Sequence, residues 1–139
     1  MFGFRICLLV ALVVGTTSCA TVKDYVVPTE VTVLTEEQLL NQIIGNTLES
    51  GSWVEYFEPP TGDQKKGRFK GKSGIAGFYG GSWEVKEDLM CWQYDKRVGY
   101  NQCVTTVLDG DIVTWYQTDG FPKFTRHPLK LISGKPKNF

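Results

Sequence analysis

The chain has 139 residues, enough for one domain, and its 15 Lys+Arg balance its 15 Asp+Glu. Zero net charge argues against a general nucleic-acid binder, and 42% hydrophobic residues argue against a disordered chain. A single histidine, His127, excludes His-rich metal sites. Fifteen glycines and four tryptophans point to turns and large apolar anchors, a β-rich composition.

The N-terminus reads as an address. Arg5 supplies a positive charge, and Ile6 to Val14 form an unbroken apolar run. That run has the length of a signal-peptide core and falls short of a membrane span. Gly15-Thr16-Thr17-Ser18-Cys19 follows and looks like a bacterial lipobox, with Thr16 standing where Leu is usual. Cleavage there makes Cys19 a lipidated N-terminus, anchored to a membrane without spanning it. The rival is ordinary signal cleavage at Ser18-Cys19-Ala20. With Ala20 rather than Asp after the cysteine, the outer membrane facing the periplasm is the favoured location in the cell envelope. Residues 1–19 are thus read as signal, 20–33 as a tether, and 34–139 as one β-rich domain.

Export changes the cysteine count. Cys7 leaves with the signal and Cys19 carries lipid or leaves too, so Cys91 and Cys103 remain in a disulfide-permissive compartment. A structural disulfide is expected, since redox pairs favour a CxxC spacing and a metal site needs more ligands.

Helix signals open the domain. Thr35 is an N-cap and Gln38 completes a capping box, with Leu34 placed to staple onto Leu39. Leu39, Leu40, Ile43 and Ile44 form one stripe, and Gly45 stops it. The helix is expected to run about ten residues, too short to stand alone. From Gly51 onward short β-type runs alternate with turns: Ser52–Glu58, Gly67–Lys72, Ser82–Lys86, Leu89–Tyr94, Gln102–Leu108, Asp111–Gln117 and Pro122–Arg126. The fold expected is a mainly β antiparallel meander, a small barrel or half-barrel, with one short N-terminal α-helix.

Register can be argued in one place. A turn centred on Asp109-Gly110 pairs Leu108 with Asp111, Thr106 with Val113, and Val104 with Trp115. Setting Cys91 opposite Cys103 places Met90 opposite Val104. The two pairings agree on one apolar face: Met90, Trp92, Val104, Val113 and Trp115. This face is the candidate ligand-binding site, and a packed core is the alternative.

Other candidates are weaker. Lys65, Lys66, Arg68, Lys70 and Lys72 form a basic patch, suited to an anionic partner or to a charged edge strand. The glycine-rich stretch Gly71 to Gly81 lacks phosphate-loop order and reads as a hairpin or bulged strand. Asp109, Asp111 and Asp119 sit in turns beside glycines. Glu55 and Glu84 lie in Trp-containing strands, and either one pointing inward would be a general-acid candidate. His127 has no nucleophile elbow or partner to work with. No cofactor motif is present.

Gly45-Asn46-Thr47, Trp53 to Phe57 with Pro60 and Gly62, Gly81-Ser82-Trp83, Met90-Cys91-Trp92, Cys103 and Asp109-Gly110-Asp111 together resemble a family of small exported bacterial proteins of unknown function. Its members share a GNT helix exit, a YFxPxG hairpin, a GxW strand and a cysteine pair flanking a hairpin. The resemblance runs from Leu34 to the C-terminus. Pro59-Pro60-Thr61-Gly62 departs from the usual Pro-Asp-Gly turn, which lengthens that loop. The family implies a secreted small β-protein and no particular activity. Membrane-bound lysozyme inhibitors are similar in architecture alone: a lipoprotein signal, a small barrel and one disulfide.

Two functions follow. The first is an envelope-anchored, non-enzymatic lipoprotein that binds a small apolar or amphiphilic ligand, or an envelope protein. The second is an inhibitor or interaction protein working through surface loops, such as Pro59–Gly71 and Tyr94–Asn101, and the basic strand. No nucleic-acid partner is expected, and an enzyme is the least supported class.

Overall fold

The computed structural model describes residues 32–96, 101–117, 122–123 and 129–139. Cys7, Cys19, Asp119 and His127 lie outside the described residues, as do the signal and most of the tether.

The capping box forms as its residues dictate. The Thr35 amide donates to Gln38 Oε1 at 2.9 Å, and the Gln38 amide donates to Thr35 Oγ1 at 3.3 Å. The helix α1 (Glu36–Gln38) continues directly into a π-helical turn, Leu39–Ile43. It is shorter than the ten residues expected. Ile44 is already extended, and Gly45 takes φ +83°, which a residue with a Cβ rarely adopts. The exit is tied down by the next two residues. Asn46 donates from Nδ2 to the Gln42 carbonyl (2.8 Å) and accepts from the Gly134 amide (2.8 Å). Thr47 Oγ1 donates to the Gly134 carbonyl (2.6 Å).

Among the described residues nine strands follow: β1 (Thr47–Ser50), β2 (Trp53–Phe57), β3 (Lys66–Ser73), β4 (Gly77–Lys86), β5 (Leu89–Tyr94), β6 (Asn101–Asp109), β7 (Ile112–Gln117), β8 (Pro122–Lys123) and β9 (Leu129–Ile132). Their pairings are antiparallel. β1 to β7 form a meander, β9 returns between β1 and β7, and β6–β7 pairing closes the ring. The result is a closed eight-stranded barrel, with β8 an added edge on β7. The half-barrel alternative is therefore excluded. Leu39, Ile43 and Ile44 join the core cluster, so the helix plugs one end.

Cys91 stands opposite Cys103, and the two are disulfide-bonded. The β6–β7 register differs from the one expected: Asp109 pairs with Ile112, and Thr106 with Trp115. The loop is therefore Gly110-Asp111 rather than Asp109-Gly110. Gly110 has φ +61°, and Asp111 is not among the positive-φ residues. That is type II′ chemistry, with glycine first. The shift changes partners without changing parity, so the apolar face survives intact. Met90, Trp92, Val104, Val113 and Trp115 are all 0–3% exposed.

The outer face is charged along β3, through Lys66, Arg68, Lys70 and Lys72, and on β4 through Glu84 and Lys86. An apolar interior with a charged exterior is the reverse of a lipid-facing barrel.

Candidate functional site

The barrel is filled at one end and open at the other. At the helix end, Phe57, Met90, Val104, Val113 and Leu129 pack with Leu39 and Ile43, each almost wholly buried. At the opposite end lies a cavity of about 450 Å³, open to solvent. Trp53, Phe78, Tyr79, Tyr94 and Trp115 supply its aromatic walls, with Glu55, Ser73 and Gln102 among its polar lining. This volume falls within the range of small-molecule sites, about 300–1,000 Å³.

Of the five residues proposed on the apolar face, only Trp115 lines this cavity. It is the common wall between filled core and open mouth. Its ring lies 4.6 Å from that of Trp92 on the core side and stacks at 6.4 Å on that of Trp53 in the mouth. Met90, Trp92, Val104 and Val113 belong to the packed part.

Glu55 is the chemically distinctive group. It lies in the middle of β2, opposite Leu48 and Gly71, and alternation turns it inward. It is 2% exposed. Glu84, the other carboxylate considered, faces out and is exposed. Burying a carboxylate costs several kcal/mol unless hydrogen bonds replace its water. Two tyrosine hydroxyls donate to its Oε1: Tyr79 at 2.9 Å and Tyr94 at 3.3 Å. Burial raises the Tyr79 pKa above the ordinary phenol value, and the Glu55 charge and hydrogen bond raise it further. Tyr79 therefore stays a protonated donor at neutral pH.

Glycines make this reach feasible. Glu55, Gly71 and Tyr79 lie in register across β2, β3 and β4. Tyr79 reaches Glu55 by crossing over Gly71. A Cβ at Gly71 would stand 2.2 Å from Tyr79 Cε2 and 2.3 Å from its Cζ. The same device recurs one layer down. Phe69 lies over Gly81, where a Cβ would stand 2.4 Å from its ring, and meets Tyr94 edge-on at 5.4 Å. Below that, Trp83 covers Gly67 and donates from Nε1 to the Glu58 carbonyl at 3.0 Å. The glycine-rich stretch is thus the β3–β4 hairpin, two strands joined by a turn at residues 74–76. Inward glycines alternate with large rings, as the narrow interior of a small barrel requires.

The basic patch sits on the outer wall. Arg68 holds Asp95 through two hydrogen bonds, one of them 2.9 Å. This pair lowers the Asp95 pKa and raises that of Arg68. Lys70 pairs with Glu58, and Lys65 with Glu36. Lys72 lies 5.0 Å over the Phe78 ring. Lys66 and Arg68 border a more open depression of about 550 Å³ that also touches the disulfide. Asp109 and Asp111 are exposed turn residues, and Asp111 pairs with Lys130. Among the described residues no group of three or more His, Cys, Asp or Glu side chains is placed to hold a metal ion. No protein family, curated protein or solved structure matches the chain.

In the sequence Trp53 stands out only as the start of a shared motif and Tyr94 only as the start of a loop, and Tyr79 is not singled out. An aromatic in a β-run reads as core wherever it lies along the strand. Only the pairing register shows that these three stand at the open end.

Proposed function

We propose that the protein is a non-enzymatic binding protein of the bacterial cell envelope that takes one small amphiphilic ligand into the mouth of its barrel. The observation that carries this reading is the aromatic cavity of about 450 Å³ beside a core that is otherwise filled. Eight strands enclose just enough space either to fill with side chains or to hold one small ligand, and this interior does both along its length. In the same proposal the chain is exported and anchored through lipidated Cys19, with residues 20–33 tethering the barrel off the outer membrane. Changing Cys19→Ser should then release the protein from the membrane fraction and alter its mass.

Tryptophan emission tests the site directly, because Trp53 and Trp115 line it. A saturable spectral shift with a panel of aromatic and amphiphilic compounds, diminished in Trp53→Phe, supports the reading. A shift unaffected by Trp53→Phe, or no shift across the panel, counts against it.

One observation favours a second reading, a protein partner. The β3–β4 hairpin tip beside the mouth presents Ile75 fully exposed and Phe78 at 65% exposure. Capture of an envelope protein that is abolished by Ile75→Ser, with the mouth unresponsive to small compounds, would favour it.

A further inference from the structure

We propose that the tip of the β3–β4 hairpin is a membrane-docking finger, and that the surface it meets is the headgroup layer of an anionic lipid bilayer. The proposal stands apart from the reading of the mouth and from lipidation of Cys19, and its failure leaves both in place.

The first observation is what the turn presents. Residues 74–78, Gly-Ile-Ala-Gly-Phe, carry no polar side chain. Ile75 is fully exposed and Phe78 mostly so. Phe139 meets the Phe78 ring edge-on at 6.4 Å. The turn that holds Ile75 out is well formed. The Ala76 amide donates to Ser73 Oγ at 2.9 Å, and Gly77 takes φ +65°. At the base of the turn the Gly74 amide donates to the Ser52 carbonyl at 3.4 Å. Single apolar residues scattered over a surface are ordinary. Two large ones on one projecting turn mark a contact site.

The second observation is the charge of the hairpin itself. Residues 64–83 hold Lys65, Lys66, Arg68, Lys70 and Lys72 and no Asp or Glu. Lys65, Arg68 and Lys70 meet Glu36, Asp95 and Glu58 from other elements. Lys72, the last cation before the tip, lies 5.0 Å over the Phe78 ring. An apolar finger with an ammonium set just behind it suits the interface of a bilayer. The apolar side chains reach the acyl boundary while the cation stays among the phosphates. Anionic headgroups strengthen the contact for each nearby cation. A bilayer also asks for no shaped counterpart, and glycines and an alanine around one isoleucine offer a protein groove little shape to read.

The third observation is position. Ser73, Ala76 and Phe78 also line the cavity, so the tip stands at the mouth end. Lys86 closes the other end of the ten-residue β4, about 30 Å away by strand rise. Docking by the tip therefore turns the mouth toward the bilayer and the helix plug away from it.

The test places an indole at position 75 in the full chain. Ile75→Trp is compared with Lys86→Trp, an exposed control at the far end of the same strand. Each is added to vesicles of phosphatidylcholine with one quarter phosphatidylglycerol, and the wild-type emission is subtracted. Ile75 is fully exposed, so its replacement removes no core contact. The expected result is a shift to shorter wavelength at position 75, with quenching by acyl-brominated phospholipids at least about threefold stronger than at position 86. Lys72→Gln in the Ile75→Trp chain, and vesicles of phosphatidylcholine alone, should each lower that quenching at least about twofold. Equal quenching at the two positions, or none at 75, would overturn the docking finger. Quenching unchanged without phosphatidylglycerol would overturn the anionic surface. An indole at 75 that vesicles leave unquenched and an envelope protein shields would overturn the bilayer in favour of a protein partner.

Discussion

Gly71→Ala is the substitution that most directly tests how the site is built. In an ordinary strand, replacing glycine by alanine stabilises a protein by about 0.4–1 kcal/mol, because the unfolded chain loses freedom. Here the opposite sign is expected. The new Cβ would stand 2.2 Å from Tyr79 Cε2 and 2.3 Å from Cζ, and the atoms struck belong to a rigid ring. The ring has to move by more than an ångström to reach ordinary contact. Its 2.9 Å hydrogen bond to Glu55 then passes beyond bonding distance. Overpacking costs about 1–3 kcal/mol, and losing a hydrogen bond to a charged acceptor about 1.5–3 kcal/mol. Set against the unfolded-state gain, the net loss should be about 3 kcal/mol. For a domain of this size that lowers Tm by on the order of 15 °C. Urea unfolding should show the midpoint falling with an unchanged m-value. The decisive comparison repeats the substitution in a Tyr79→Ala background, where no ring remains to strike. Gly71→Ala should there be neutral or mildly stabilising. Costs that agree in the two backgrounds within about 0.5 kcal/mol would refute the crossing-ring explanation.

Three further predictions concern Tyr79, the disulfide and Asn46. The folded-state pKa of Tyr79 is raised, so its contribution to stability is present below the unfolded phenol value, near 10, and is lost as pH rises above it. Wild-type protein should therefore lose stability faster than Tyr79→Phe above about pH 10, by less than about 1.4 kcal/mol per pH unit because the ring is partly solvated. Parallel curves in alkaline urea titrations would contradict this. Removing the disulfide by Cys91→Ala with Cys103→Ala should cost roughly 3 kcal/mol of unfolding free energy. A cost near zero would show that β5–β6 pairing alone holds this loop. Asn46→Ala removes bonds to both Gln42 and Gly134 and should cost about 2 kcal/mol. Asn46→Asp keeps the acceptor for the Gly134 amide and should fall between, and limited proteolysis near Gly134 reports whether the C-terminal turn has loosened.

Much of the fold was legible because alternation and turn chemistry are local. Thr35 and Gln38 announced the helix start, and Cys91 opposite Cys103 set one register. The second register slipped because Asp109-Gly110 and Gly110-Asp111 both make two-residue hairpins, and only the backbone shows which residue takes positive φ. The slip was harmless to the face because a shift of one residue on each side of the turn preserves parity. Barrel closure was less legible. The strands that complete it, β1 and β9, are four residues each. β1 follows immediately on a helix exit, and β9 follows Pro128. Neither carries a long alternating pattern, and their pairing with each other is set by a separation of more than eighty residues.

The motif glycines and the site answer to one constraint. The narrow interior of an eight-stranded barrel favours large inward rings that lie over a neighbour without a side chain, and three rings here do so. Gly67 serves Trp83, Gly81 serves Phe69, and Gly71 serves Tyr79. The first two of these layers bury their rings in the core, with Trp83 and Phe69 at 1% exposure. The third places its ring at the edge of solvent and aims a hydroxyl at a carboxylate. A packing rule that reads as core architecture in two layers thus builds a polar, recessed site in the third. That is why the glycine stretch looked structural in the sequence, and why the site it supports became visible only once Glu55, Gly71 and Tyr79 were seen in register.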